Sequence, residues 1–563
     1  MNSESEMARG GEEVFAPQPP AGHRDWYAHE ALRAIPRLVL MVDKNPYSPT
    51  YGCFDRSYWH YRTMDFPCGM NQEFVLPLAL AYRMPLPHNR YRGRERLREL
   101  ALAGVEFARR SSHPDGTTDD YFPFERALGA LVFSLYAMTE ACLELDARED
   151  RFLEFFARRG DWLLRHNETG KLANHQAFAA LALYNVHLLT GEERYRRGSN
   201  AFRDLTMSWR SSEGWFQEYE GADPGYHSCT ISFLAKLWQK SGDETLLPVL
   251  KEAVDFARHF MHPDGSYAGE YGSRNTFHFY PHGFEVMAPY SRSAAEIADS
   301  FLHLAMPRRT RYYNDDDRMA AHYVYDWMHA WRDYHQGDRP GPVRLPEKTE
   351  ATWLPEARLL AVRTPRYHLV ANASKGGTFK AVSPDGPFAG DTGLIAELED
   401  GRVAVTHLVA DNKAALTKDN QRLTVTGVFQ KRRSPLPTPF RQVLFRLFLL
   451  TVGRFHANLV RAILQRVLIV GKRPMELRFR RTLEAREDGI LVEDEVRLPK
   501  GVHLRRLSAG TDATSIYVAN SNVFQESVLL PWTHFDEDTV RELNRERRIR
   551  ISRKIDAPPG KRD

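Results

Sequence analysis

From Trp26 to about His335, apolar residues recur three and four positions apart, as in PFERALGALVFSLYAMTEACLEL, NHQAFAALALYNVHLL and ISFLAKLWQKSGDETLLPVLKEAVDFARHF. That spacing is the signature of amphipathic helices. Four Gly-containing loops break the run: His113-Pro-Asp-Gly, His166-Asn-Glu-Thr-Gly, Ser212-Glu-Gly and His262-Pro-Asp-Gly. They recur about every 45 to 53 residues, an internal repeat. Shorter connections, Thr190-Gly191-Glu192 and Ser241-Gly242-Asp243, turn the chain at the opposite end of each unit. Each unit therefore predicts a helical hairpin. A hairpin cannot bury both faces alone, so several must pack side by side, as a closed α/α toroid or, alternatively, an open solenoid.

After a Pro-rich passage, GDRPGPVRLPEKTEATWLP, the period shortens to two in ARLLAVRT, YHLVANAS, VAVTHLVA, RLTVTGVF, LRFRRTLEA and GILVEDEVRL. These segments read as strands, and the change of period places a domain boundary near residue 342. The predicted fold class is multidomain α+β, with a toroid over residues 23–341 and an antiparallel β-sandwich over 342–553. Residues 1–22, rich in Pro, Gly and Glu, are expected to form a disordered tail, and residues 554–563 a basic tail. The stretch 440–470 interrupts the strands with a helical pattern.

A length of 563 residues exceeds one hydrophobic core, in keeping with two domains. The net charge of +4 carries no signal for nucleic acid, and no nucleic-acid motif accompanies the basic residues. Four cysteines without CxxC spacing suggest neither a zinc ribbon nor a disulfide framework. With no HExxH and no Cys/His cluster, neither a metal nor a cofactor is expected. The polar, acidic start MNSESEMARGGEEVFAPQPP differs from a secretory signal, and no apolar run reaches the roughly 18 residues that span a bilayer. The expected location is the cytoplasm, including the inner face of the membrane.

Read loop by loop, one end of the toroid receives Asp119-Asp120-Tyr121 with Glu125, then Asn174-His175. Trp215, Glu218, Asp223 and Tyr226-His227 follow, and then Glu270, Arg274, His278 and His282. A single His or Tyr at a helix start is ordinarily a cap or a core group. Four repeats delivering such groups to the same end make the set a candidate site.

The segments KLANHQAFAALAL, with Asn174-His175, and EYEGADPGYHSCTISFL, with Tyr226, resemble the heparinase II/III-like polysaccharide lyases and their oligoalginate lyase relatives. The match in helix order extends over roughly residues 120 to 290. The resemblance implies an α/α toroid joined to an antiparallel β-sandwich, and β-elimination on a uronate-containing glycan. It also implies Tyr226 as catalytic acid, or as acid and base together.

Removing the C5 proton of a uronate leaves an enolate-like dianion unless donors and positive charge reach the carboxylate. Asn174, His175 and Arg274 are candidates for that role, and His282 for a second base or carboxylate ligand. Trp215 and Tyr121 are candidates for holding the sugar. In the segment from Tyr51 to Pro67, Arg56, Trp59 and His60 are candidates for one wall of a sugar cleft, by stacking and by Arg–carboxylate pairing.

The family's histidine motif early in the β-domain is replaced by NASKGGTFKAVSPDGPFAGDTGLIAEL, in which Lys375, Lys380 and Asp391 are the charged candidates to take its place. A uronate C5-epimerase and a non-catalytic glycan-binding component therefore stay open. So does a toroid glycoside hydrolase using Asp119 or Asp120 with Asp223 or Glu270.

From Lys431 to Arg473 the chain has ten basic residues and no acidic one, interleaved with large apolar residues. Such a segment suits an anionic membrane surface or a membrane-bound glycan assembly protein. The alternative is a helix packed across the β-domain.

Overall fold

The computed structural model describes residues 22–168, 170–308, 319–432, 438–468, 472–512 and 524–559. The expected N-terminal tail, apart from Gly22, lies outside the described residues, as do residues 560–563 of the expected basic tail.

The helical region is an α/α ring with inner and outer layers. The inner helices Leu128–Leu145, Ala173–Thr190 and Pro224–Ser241 are buried along nearly their whole length. Their Ala, Leu, Phe and Ser side chains suit every face to a packed environment. The outer helices Glu95–Ser111, Asp150–Leu163, Glu193–Ser208 and Leu246–Arg258 bury one stripe and turn their charged residues to solvent. The inner layer meets at the ring centre, where the Phe178 ring stacks on Phe233 at 3.7 Å and lies 4.4 Å from Phe133. Leu128–Leu145 is long and apolar enough to cross a bilayer by composition, yet it sits inside this core.

The ring closes. Its last helix, Ala320–Arg332, packs on the first, Asp25–Met41. Trp331 Nε1 donates to Asp25 Oδ1 at 3.1 Å, and Arg24 Nε to the Trp331 carbonyl at 2.7 Å. This decides between a toroid and an open solenoid. The repeated Gly loops seat each hairpin on the next. Gly214 has φ of 92°, and a Cβ there would come 2.6 Å from the Glu252 carbonyl oxygen of the adjacent outer helix. Gly214→Ala is expected to cost about 1–3 kcal/mol, read as a lower thermal unfolding midpoint; an unchanged midpoint would refute this seating.

The β-domain is a sandwich of two antiparallel sheets. The first holds β1 (Glu350–Leu354), β2 (Leu359–Arg363), β3 (His368–Asn372), β4 (Thr378–Ser383) and β5 (Gly386–Asp391) in sequence order. The second contains β6 (Leu394–Leu398), β7 (Val403–Val405), β8 (Lys413–Leu416), β9 (Arg422–Lys431) and β10 (Pro474–Arg486). It also contains β11 (Gly489–Arg497), β12 (Leu504–Ala509), β13 (Thr533–His534) and β14 (Arg548–Asp556). Its order is β13-β12-β6-β7-β9-β10-β11-β14, with β8 beside β9. The two sheets share a core in which Leu360, Val362 and Phe379 meet Phe429, Phe479 and Val492. β14 pairs with β11 as far as Asp556, so the last strand runs three residues into the stretch expected to be a tail.

The first sheet has a second buried face, which rests on the toroid. Leu359 and Val370 join the toroid core. Arg363 Nη2 donates to the carbonyls of Arg258 and Met261 at 2.9 and 3.0 Å, and Asn372 Nδ2 to that of Tyr271 at 2.7 Å. A sheet covered on both sides has no polar face, which explains why every residue of β2, β3 and β4 is buried.

The insertion forms two helices, Pro439–Thr451 and Ala457–Leu468, between β9 and β10. It packs on the toroid. Phe122, from a mouth loop, forms a small apolar cluster with Phe445, Leu449, Val460 and Leu464. Arg446 pairs with Asp65 at 3.2 Å, Arg454 lies 5.0 Å over the Phe124 ring, and Lys472 pairs with Glu220 at 2.6 Å.

Candidate functional site at the toroid mouth

The inner helices begin at the mouth, and the loops before them pair there. An isolated antiparallel bridge between Leu172 and Glu218 sets the start of helix Ala173–Thr190 beside the loop before helix Pro224–Ser241. Asp223 caps that second helix by accepting the Tyr226 backbone N–H at 3.0 Å, and it also accepts the Arg274 N–H at 2.8 Å. One carboxylate thus fixes two candidate residues from loops about 50 positions apart.

The result is a compact cluster around Glu218. Asn174 donates to Glu218 Oε1 from its backbone N at 2.9 Å and from Nδ2 at 2.8 Å. Arg274 Nη1 donates to Glu218 Oε2 at 3.2 Å. The Arg274 guanidinium lies 4.0 Å over the Tyr226 ring and 4.9 Å over that of Tyr219. The His278 ring meets that of Tyr226 edge-on at 5.0 Å, its Nδ1 hydrogen-bonded to the Tyr323 hydroxyl. Burial pushes the Glu218 carboxyl above its ordinary pKa against the pull of Arg274. Burial likewise raises the Tyr226 phenol well above its usual value, again opposed by Arg274. At neutral pH Tyr226 therefore carries its proton.

His175 belongs to a second set that adjoins the first. Its Nδ1 lies 2.6 Å from Glu168 Oε1, and its side chain is partly exposed. Burial works to raise the Glu168 pKa, but His175 and Arg461 hold it below its ordinary value, so it is an ionised partner for the imidazole. With Nδ1 engaged as donor, Nε2 is the basic nitrogen of the neutral ring. Arg461, from the β-domain insertion, reaches into the mouth: Nη1 donates to Glu168 Oε2 at 2.9 Å and Nη2 to Glu125 Oε1 at 3.3 Å. Burial, with Asp120 adding to it and Arg461 opposing, leaves Glu125 pushed up to about 7.

The mouth thus brings together Asn174, His175, Arg274 and Tyr226, four of the residues expected from the sequence. Tyr121 is at its rim, half exposed, its backbone N–H donating to Glu125 at 2.8 Å. The others are elsewhere. His282 is buried with His329 and Lys236 near the far ends of the inner helices, its Nε2 bonded to Asp333 at 2.6 Å. In the first turn of the short helix Pro281–Met287 the His282 backbone N–H donates to Asp326 at 3.1 Å, and the ring lies among Lys236, His329 and Asp333. Trp215 is packed against Phe256 with its indole N–H on Glu213, and Glu213 accepts the backbone N–H groups of Glu356 and Ala357, so this pair serves the joint between domains. Arg56 turns onto Tyr61, Trp59 donates to the Met41 carbonyl at 2.8 Å, and His60 meets Trp59 and Tyr61 edge-on. These three are tied to their own segment and to the first helix.

The three charged candidates in the β-domain are also committed to structure. Lys375 Nζ donates to the carbonyls of Glu270 and Gly272 and to Asn275 Oδ1. Lys380 bonds to Gln525 and lies 3.7 Å from Glu270. Asp391 is locked between Arg481 and Arg553. A histidine from this domain does approach the same region: His407, buried near Lys375 and Arg432, is pushed down to about 3 by burial and those charges. Asp119 accepts from the backbone N–H groups of Phe124 and Arg126 and meets His113 at 2.9 Å. Asp223 is similarly occupied, by the backbone N–H groups of Tyr226 and Arg274 and by the Thr276 hydroxyl. Glu140, Glu144 and His329 gather at the far end, but Lys240 and Arg332 already pair with the two carboxylates at 2.9 and 2.7 Å.

Glu168, Tyr219, Tyr323 and Arg461 were not singled out from the sequence. Glu168 lies inside a repeat loop and had a signal; Arg461 did not, because its partners are 293 and 336 positions away.

No family model matches the sequence, and no curated protein matches it. Heparan sulfate lyase from Pedobacter heparinus aligns over 88% of this chain and 73% of its own at 11% identity, with a TM-score of 0.38. The unsaturated glucuronyl hydrolase of Streptococcus agalactiae aligns over 56% and 97% at 11% identity, with a TM-score of 0.37. The chondroitin AC lyase of Streptomyces coelicolor A3, solved in complex with chondroitin sulphate, aligns over 88% of this chain and 69% of its own at 13% identity, with a TM-score of 0.51. At that similarity the shared property is the fold: an α/α toroid followed by an antiparallel β-sandwich.

Proposed function

We propose that this chain is a lyase-like enzyme that acts on uronate-containing polysaccharide or oligosaccharide by C5 proton abstraction and β-elimination, in glycan biosynthesis or processing. The observation that carries the reading is the convergence of Asn174, Arg274 and Tyr226 on Glu218 at the toroid mouth, with the His175–Glu168 pair beside them.

In this reading His175 Nε2 takes the C5 proton. The C5–H electron pair becomes the C4–C5 double bond as the C4–O bond breaks, and the Tyr226 phenol gives its proton to the departing oxygen. Arg274 and the Asn174 amide face the carboxylate on which negative charge develops. The upward shift of Glu218, caused by burial, weakens its hold on the Arg274 charge in the direction this role needs. A preference for uronates follows from the carboxylate, since a neutral sugar offers Arg274 no partner.

The test is incubation with chondroitin sulphate, heparan sulfate and alginate, followed by ultraviolet absorbance of the conjugated double bond and by mass spectrometry of the products. The expected result is an unsaturated uronate end from at least one of them, lost in Arg274→Met. Binding of a uronate glycan with no unsaturated product would sink the lyase assignment. A C5-epimerase reading is favoured by one observation, a second imidazole, that of His278, 5.0 Å from the Tyr226 ring. Its mark is solvent deuterium at C5 without new absorbance.

A further inference from the structure

The helical hairpin Pro439–Leu468 has two unlike faces. Inward, Phe445, Leu449, Val460 and Arg461 seat it on the toroid mouth. Outward, it presents large apolar side chains to solvent, among them Phe440 at 72%, Leu447 at 54% and Phe455 at 74% exposure. On the first helix the exposed positions Phe440, Val443, Leu444, Leu447 and Leu450 fall three and four apart, which is one continuous stripe. Leu459 and Ile463 extend the apolar surface onto the second helix. Nearly half of the exposed large apolar side chains among the described residues come from this one hairpin. A patch of this kind marks an interaction surface.

The charge pattern says what covers it. Between Lys431 and Arg473 the chain carries no Asp or Glu. Arg446 and Arg461 are used inward, on Asp65 and on Glu125 with Glu168. Arg441 and Arg466 stand exposed on the same hairpin, and Arg454 is exposed beside the Phe124 ring. An acidic counterpart is absent from the hairpin itself, so a second copy of this chain would bring like charges together at the same face. A layer that is anionic at its surface and apolar just beneath satisfies both features at once.

We propose that this hairpin docks the protein on an anionic lipid bilayer, with its apolar stripe in the headgroup–acyl boundary and its arginines on lipid phosphates. The inward face stays on the toroid, so docking sets the site mouth close to the membrane plane. The inference stands independently of the reaction proposed above.

Full-length protein is mixed with vesicles of phosphatidylcholine alone or of phosphatidylcholine with phosphatidylglycerol, and the bound fraction is measured by co-sedimentation at low and high salt. Binding to the anionic vesicles is expected, weakened by salt. In Leu444→Glu/Leu447→Glu it is expected to fall at least about tenfold, while Tyr290→Glu, at an exposed apolar residue elsewhere, leaves it unchanged. Equal binding of the double variant, or equal binding to both vesicle types, would overturn the proposal. So would concentration-dependent dimerisation in solution that the double variant abolishes. As a measurement that needs no loss of function, Leu447→Trp should show fluorescence quenching by brominated lipid in anionic vesicles, and an unquenched tryptophan on bound protein would also count against it.

Discussion

Tyr226→Phe is expected to lower the elimination rate on a uronate glycan by about 10²-fold to 10⁴-fold, the usual share of a positioned proton donor, with little change in glycan binding. The ring is the part of Tyr226 that Arg274 covers at 4.0 Å and that His278 meets at 5.0 Å, and phenylalanine keeps it. The variant loses the hydroxyl proton, which burial holds on the oxygen at neutral pH. The measurement is initial rate against substrate concentration. A loss confined to kcat with KM retained supports the acid role, whereas unchanged turnover would remove Tyr226 from the chemistry. Asn174 and Arg274 should behave differently: in the proposed role they hold the substrate carboxylate in the ground state as well, so their variants should also raise KM.

Arg481→Met is expected to destabilise the β-sandwich by about 3–5 kcal/mol. Arg481 is almost wholly buried, with Nε and Nη2 on Asp494 at 2.7 and 3.0 Å and Nη1 on Asp391 at 2.7 Å. Arg553 bridges the same two carboxylates at 2.8 Å each. Methionine fills the volume but leaves two buried carboxylates with one cation between them. Chemical denaturation followed by hydrogen exchange in β10 and β11 reads the effect, and a loss below about 1 kcal/mol would mean that the network is solvated. Burial works to raise Asp391, but Arg481 and Arg553 hold it below its ordinary value. A carboxyl depressed in the folded state contributes stability above its unfolded pKa, near 3.8, and that contribution is lost as pH falls through the folded value. Acid sensitivity of the sandwich below about pH 4 is therefore expected in the native chain and reduced in Asp391→Asn.

The toroid was legible because its two layers leave separate marks: regular Gly loops give the repeat, and runs such as NHQAFAALALYNVHLL give inner helices. The four mouth residues were legible for a related reason. Each lies at or just before the start of an inner helix or in a repeat loop, so counting repeats places it at one end. His282 looked the same by that count. The count does not show that Pro281–Met287 is a short helix whose His282 side chain meets Asp333, just after the last toroid helix, at the far end of the ring. The sandwich was visible as a change of period, but the burial of both faces of its first sheet was not, since contact with the toroid leaves no mark in the strand pattern. Arg461 illustrates the same limit at the site. Its surroundings read as a basic helix, and only tertiary packing turns one of its many arginines toward Glu125 and Glu168.

Ring closure has a consequence for how the chain folds. The first helix finds its partner in residues 306 and 307 positions away, through Trp331 on Asp25 and Arg24 on the Trp331 carbonyl. During synthesis Asp25–Met41 therefore emerges long before the surface that covers Tyr27, Ala31 and Ile35. Contacts so distant in sequence form late and slowly, and an apolar stripe left waiting invites association with other chains. The nascent toroid should depend on a chaperone until Ala320–Arg332 clears the ribosome. A circular permutant that starts at Ala320 would meet this partner early and fold with less help.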